Sequence, residues 1–259
     1  MYYLYSSTQL PLEATPLYTI AILLLLADQP STFRVVPMDE IIKIAEEIHT
    51  HITTDIHDYT GLMVKREFVD GKDTGSHYIQ FKLREDPIGI YFKYLKPPSK
   101  AGREVLYVGG DELIVKRGGR RSASLTLAIS IDNLLATEGN RYTIKEMGLK
   151  VLSERLIKQL KAEMNVPNTE VRAYDNAKID GRVITHYRLI HHTQTPEATC
   201  RLAEISIDKI LNVPIYYRSV GWQEPEVVLE EYVFRNIIIN VGLTDEDFKE
   251  TNPAYGFQK

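Results

Sequence analysis

The residues whose types could do chemistry are a histidine group, a lone cysteine and a basic stretch. His186, His191 and His192 lie close together, and His186 and His192 share parity on an alternating segment. A strand would send both to one side, where with a nearby carboxylate they would resemble two imidazole ligands of a metal. A polar strand end uses the same residues, and the His-Glu-x-x-His spacing that sets two ligands and a general base on one helix is missing. His49 and His51 are two apart in a helical segment, which turns them to different faces, so they form no i, i+4 pair and are expected at the surface. We therefore expect no metal and no cofactor.

Cys200 is the only cysteine, which excludes an intrachain disulfide and a thiolate cluster. Its surroundings, Ala198-Thr199-Cys200-Arg201-Leu202, read as an alternating strand and give it the role of a small buried apolar side chain, not of an activated thiolate. The Gly-x-Ser-x-Gly elbow, the phosphate loop and the dinucleotide fingerprint are all absent. A non-enzyme is the expectation, with a hydrolase or metal enzyme built on the His186 strand as a distant alternative.

Between Lys93 and Arg121, Lys93, Lys96, Lys100, Arg103, Lys116, Arg117, Arg120 and Arg121 outnumber Glu104, Asp111 and Glu112. Guanidinium forks suit phosphate oxygens, so Arg103, Arg120 and Arg121 are candidates for a rim that meets a lipid head group. Charged hairpin rims also deter edge-to-edge pairing without binding anything. Arg103 has a third role open to it, an ion pair with Glu67 or Glu104. The net charge of -4 supplies no field for nucleic acid.

These groups need elements to hold them. Ile41, Ile44, Ala45, Ile48 and Ile52 repeat at three and four between Pro37 and Thr53, the stripe of an amphipathic helix, with Asp39 and Glu40 at its start. The period then becomes two. Asp58 to Val69 and Ser76 to Arg84 flank Asp70-Gly71 as a hairpin, and Gly89 to Leu95, Glu104 to Val108, Glu112 to Arg117 and Ala123 to Ala128 continue as strands of an antiparallel meander. A short helical piece is expected at Asp132 to Leu135. Thr143-Ile-Lys-Glu146 has the form of a capping box before Met147, Val151, Leu152, Leu156 and Leu160, and Gly148 delays the continuous helix to Leu149. Alternation returns in Val171 to Ile179, Arg182 to Ile190, Arg201 to Ile207, Val213 to Val220 and Val227 to Val241, and Asp245-Glu246-Asp247 is expected to cap a turn after the last strand.

The fold class is thus α+β, mainly antiparallel β, with about ten to eleven strands. Residues 1–36 form an N-terminal segment and 37–259 a single domain, since no Gly-, Ser- or Pro-rich linker divides them. From Pro16 to Ala27 the segment is almost wholly apolar, long enough for the core of an export signal and too short to span a bilayer. Its flanks are imperfect: no Lys or Arg precedes Arg34, and Leu25 occupies the minus-three position of a cleavage after Ala27, where a small residue is wanted.

Several ordered motifs resemble a known family. They are Asp58-Tyr59-Thr60 leading to Val64-Lys65-Arg66-Glu67, Ala101-Gly102-Arg103-Glu104-Val105, Asp175-Asn176-Ala177-Lys178-Ile179-Asp180-Gly181, Leu211-Asn212-Val213-Pro214-Ile215, Glu231-Tyr232-Val233-Phe234 and the run from Asn240 to Phe248. Together, over about Pro37 to Phe257, they resemble the bacterial domain-of-unknown-function family 1571 (DUF1571), and through it the LolA-like lipoprotein-sorting superfamily. The resemblance implies an incompletely closed half-barrel whose concave face is covered by helices as a lid, and a periplasmic or otherwise exported location.

A sheet with one apolar face must bury it, and a half-barrel that its own side chains do not fill holds a ligand. The cavity-lining candidates on the first strands are Phe81, Leu83, Ile90 and Phe92. Those on the later strands are Ile184, Ile205, Ile207, Ile215, Tyr217, Tyr232 and Phe234. The expected function is a non-catalytic, monomeric carrier or sensor of a lipid or lipoprotein acyl chain, outside the membrane. The alternative is a cell-envelope module that holds a protein partner and has no ligand cavity.

Overall fold

The computed structural model describes residues 32–119 and 125–257, so the apolar N-terminal run and the rim candidates Arg120 and Arg121 lie outside the described residues. A two-residue strand β1 (Arg34–Val35) precedes helix α1 (Met38–Asp55). Then come β2 (Asp58–Val69), β3 (Lys72–Asp73), β4 (His77–Arg84), β5 (Gly89–Lys96), β6 (Glu104–Tyr107), β7 (Glu112–Lys116) and β8 (Thr126–Ser130). Helix α2 (Leu134–Thr137), a 3-10 turn (Ile144–Glu146) and helix α3 (Leu149–Glu163) separate these from β9 (Thr169–Ile179), β10 (Arg182–His191), β11 (Leu202–Asp208), β12 (Pro214–Val220) and β13 (Val228–Ile239).

The strands form one 13-stranded sheet in the order β1-β9-β10-β11-β12-β13-β2-β4-β5-β6-β7-β8, with β3 on β2. All pairings are antiparallel, and β13 beside β2 brings the last strand against the first long one. Among the described residues β1 and β8 end the sheet and do not pair with each other, so the half-barrel is not closed. The count exceeds the expected ten to eleven because β1 and β3 are two residues each, too short to show a period. β8 is described from Thr126, and its expected start at Ala123 lies outside the described residues.

The Asp70-Gly71 and Asp180-Gly181 turns lie where the sequence places them. In β4, His77, Ile79, Phe81 and Leu83 are buried and Tyr78, Gln80, Lys82 and Arg84 are not, the alternation of a strand with one covered face. Thr143 and Glu146 form the capping box, but it closes only the 3-10 turn. Gly148 has φ 115° and ψ 158°, a conformation almost confined to glycine, and it interrupts the chain there so that α3 starts at Leu149.

Both long helices lie on the concave face. The main core includes Ile41, Ala45, Ile48 and Ile52 of α1 and Leu149 and Leu160 of α3, packed on the sheet. A small second core on the convex face joins Tyr91 and Leu106 to Phe248 and Phe257 of the C-terminal tail, with Tyr255 stacked on Tyr91 at 3.8 Å. The acidic stretch expected to cap a turn does so: Thr244 and Asp247 cap a 3-10 turn, and Asp247 and Asp245 reach Lys82 and Arg84 of β4. Cys200 is buried as expected but lies in the loop before β11, not in a strand. Burial pushes its thiol up to about 12, which leaves it inert.

Candidate functional site: a helix-covered apolar face

The candidate site is the interface between α1, α3 and the concave sheet. Ile41, Ala45 and Ile48 of α1 with Leu156 and Leu160 of α3 roof a cavity of about 50 Å³ over β9 to β12. Ile205, Ile207 and Tyr217, expected as lining residues, form part of its floor together with Tyr187 and Leu189. Beneath the first turns of α3 a second cavity of about 40 Å³ is floored by Phe81, Leu83, Phe92, Tyr232 and Phe234, again residues the alternation singles out. Ile90, Ile184 and Ile215 are fully buried in the surrounding core and line neither.

Two further cavities continue toward the β8 edge. One of about 30 Å³ shares Met63, Phe92, Tyr142 and Met147 with the second cavity and reaches Lys65 and Arg103. The last, of about 250 Å³, shares Arg103 with it and adds Lys100, Arg117 and Glu138. The interior is thus mostly filled under the helices and most open at its basic end.

A polar band crosses the apolar face. Lys65 and Glu67, 1% and 0% exposed, form an ion pair of 2.7 Å. Lys65 also donates to Asn140 Oδ1 at 2.6 Å, and Tyr232 donates its hydroxyl hydrogen to Glu67. Tyr142 donates to Glu230 at 3.1 Å, and the Arg155 guanidinium of α3 lies 3.7 Å over the Tyr142 ring. Burial raises the Glu230 carboxyl, against the pull of Arg141 and Tyr142, and burial also raises the Tyr142 phenol to about 12. This band is invisible to a hydrophobic pattern because each member interrupts an apolar run; the repeated Lys65, Glu67 and Glu230 at inward parity is the one signal of it.

The lid is fastened at its ends. Tyr59 of β2 donates to Glu85 at 2.9 Å and accepts from the Leu149 amide at 2.6 Å, so one hydroxyl pins the start of α3 to the sheet. At the other end Glu163 lies 3.4 Å from His191, whose second ring nitrogen meets Thr169 at 2.9 Å. His49 and His51, expected at the surface, are partly covered and take part: His49 meets Ser153 of α3 at 2.8 Å, and His51 meets the Leu211 carbonyl at 3.1 Å. His49–Ser153 and Lys161–Glu46 at 2.6 Å tie the two helices to each other, and His51 ties α1 to the loop after β11.

The candidate chemical histidines do not converge. His186 is buried on the convex face against Ser206 at 2.9 Å and Glu204 at 3.7 Å, His191 faces α3, and His192 lies past the end of β10 near Glu170. Among the described residues, no group of three or more His, Cys, Asp or Glu side chains converges as a metal site would require. Of the partners considered for Arg103, Glu67 is held by Lys65 and Tyr232, and Glu104 by Lys116 and Tyr91. The Arg103 guanidinium lies 5.4 Å from the centre of the Tyr94 ring.

Residues 56–257 match the family described as a protein of unknown function, DUF1571. The chain belongs to that family. No curated protein matches this DUF1571 chain. Among solved structures it is similar to the lipoprotein LppX of Mycobacterium tuberculosis, at 12% identity over 80% of this chain and 98% of that one, with a TM-score of 0.47. It is also similar to the LolA superfamily protein NE2245 from Nitrosomonas europaea, at 12% identity, 83% and 98% coverage and a TM-score of 0.32. A third is the MucA/MucB complex structure of Pseudomonas aeruginosa, at 15% identity, 82% and 60% coverage and a TM-score of 0.38. Among the described residues, no helix of the DUF1571 chain is long and apolar enough to cross a membrane.

Proposed function

We propose that this protein is a non-catalytic, exported binder of an apolar ligand, the acyl chain of a lipid or lipoprotein, held between α1, α3 and the concave sheet as carrier or sensor. The observation that carries this reading is the pair of apolar cavities at the helix–sheet interface, floored by inward residues of most strands. At about 50 and 40 Å³ they are far below the roughly 300–1,000 Å³ of ordinary ligand sites. A chain therefore enters as the helices lift from the sheet. α1 and α3 are joined through His49–Ser153 and Lys161–Glu46, so lifting α3 from the sheet also displaces α1.

Native mass spectrometry of protein purified without detergent from its own host tests this. The reading predicts a co-purifying lipid-sized mass that organic extraction removes. A clean apo mass across several preparations would move the assignment to the second reading, an envelope module that holds a protein partner. One feature favours that module: among the described residues β1 pairs with only Arg172 and Ala173 of the long β9, leaving backbone groups on that edge for strand addition by another chain.

A further inference from the structure

We infer that the ligand is an anionic amphiphile, with its head at Lys100, Arg103 and Arg117 and its chain running from there beneath α3. This rests on the apolar-ligand reading above and adds the chemical class and the direction of entry.

The basic end is built by two loops in close contact. The loop from Pro97 to Arg103 is tightened by Ala101 and Lys100 amides donating to the Pro97 carbonyl, and by the Arg103 amide donating to the Lys100 carbonyl at 3.0 Å. Gly118 packs so closely on it that a Cβ there would lie 2.3 Å from the Arg103 nitrogen and 2.4 Å from the Lys100 oxygen. Only glycine allows that approach, and it sets Arg117 beside Lys100 and Arg103. Among the described residues the three cations share the wall of the 250 Å³ cavity with a single carboxylate, Glu138. Among the described residues, neither Lys100 nor Arg117 has an ion pair. Burial first, and then the charges of Arg103 and Lys65, lower the Lys100 ammonium against the pull of Glu138 and Glu67.

The apolar route begins at the same residues. Arg103 also walls the next cavity, and Met63, Phe92, Tyr142 and Met147 carry that one into the cavity under α3. The Lys65 charge along this route is already matched by Glu67, so among the described residues two cations without an ion pair, Lys100 and Arg117, stand at the mouth. An anionic head satisfies them, a neutral head gains nothing there, and a cationic head is repelled.

The test is calorimetric titration of the full, delipidated chain with dodecyl phosphate, dodecanol and inorganic phosphate, on the wild type and on the Lys100→Gln/Arg117→Gln variant. Dodecyl phosphate is expected to bind at least about tenfold more tightly than dodecanol, a step set by charge-assisted hydrogen bonds. The variant should lose that preference and leave dodecanol affinity unchanged. Equal affinity of the two alkyl probes for the wild type would overturn this inference while leaving an apolar binder in place. Inorganic phosphate binding as tightly as dodecyl phosphate would overturn it in favour of a free-anion site. Failure of both alkyl probes to bind, with the wild-type fold verified by circular dichroism, would overturn the apolar-ligand reading together with this one.

Discussion

Tyr59 illustrates how much of the site hangs on single polar atoms. Its hydroxyl is wholly buried and serves both Glu85 and the first amide of α3. Tyr59→Phe leaves that amide buried without a partner, so we expect a loss of about 1–3 kcal/mol in denaturant unfolding, with faster amide exchange at the start of α3. Lys65 and Glu67 make a second case. Lys65→Met strands a buried carboxylate and should cost about 3–5 kcal/mol, whereas replacing Lys65 and Glu67 together by apolar residues of similar size should recover most of it.

Glu204, on the convex face, sets an acid limit. Burial works to raise its carboxyl, but His186, Arg218 and Arg188 outweigh burial and hold it at about 2, against an ordinary 4.5. A carboxylate lowered in the folded state stabilises fully above its unfolded value, and that contribution disappears as the pH falls from about 4.5 toward 2. The contribution is on the order of 3 kcal/mol. Glu204→Gln should therefore lower stability at neutral pH and flatten its decline across that acid window, as read from urea midpoints at a series of pH values.

At the scale of elements, the alternation of β4 and the three-four stripe of α1 were legible because each has one face in the core and the other in water. The eight Phe, Leu, Ile and Tyr candidates that line the two apolar cavities follow from that parity alone. Ile184 and Ile215 show its limit: β-bulges near both strands' ends shift the register, and a period cannot tell a cavity wall from packed core. β1 and β3 carry no period at two residues each, and the Cys200 segment alternates in sequence yet forms a loop. The lid fastenings at His49, His51 and Glu163 were not legible either, since they join residues more than a hundred positions apart or opposite ends of a helix and sheet. Gly148 was read correctly as the point that delays α3. A Cβ there would lie 3.2 Å from the Tyr59 hydroxyl, in a backbone region that L-residues avoid, so Gly148→Ala should cost about 1–3 kcal/mol and loosen the lid at the same hinge as Tyr59→Phe. Thermal midpoints of the single and double variants would show the two effects to be less than additive.

For the whole molecule, an antiparallel sheet wide enough to curl but not to close leaves an apolar concave face that two helices cover without closing every gap. The gaps are small under the lid and larger at the basic rim, which gives the interior a polarity along its length. The most direct test of the central claim is titration of the delipidated protein with a fluorescent acyl probe whose emission reports an apolar environment. The account predicts saturable one-site binding, a blue-shifted emission, and displacement by an unlabelled alkyl chain. No saturable change, from protein whose circular dichroism and thermal midpoint show it folded, would contradict it.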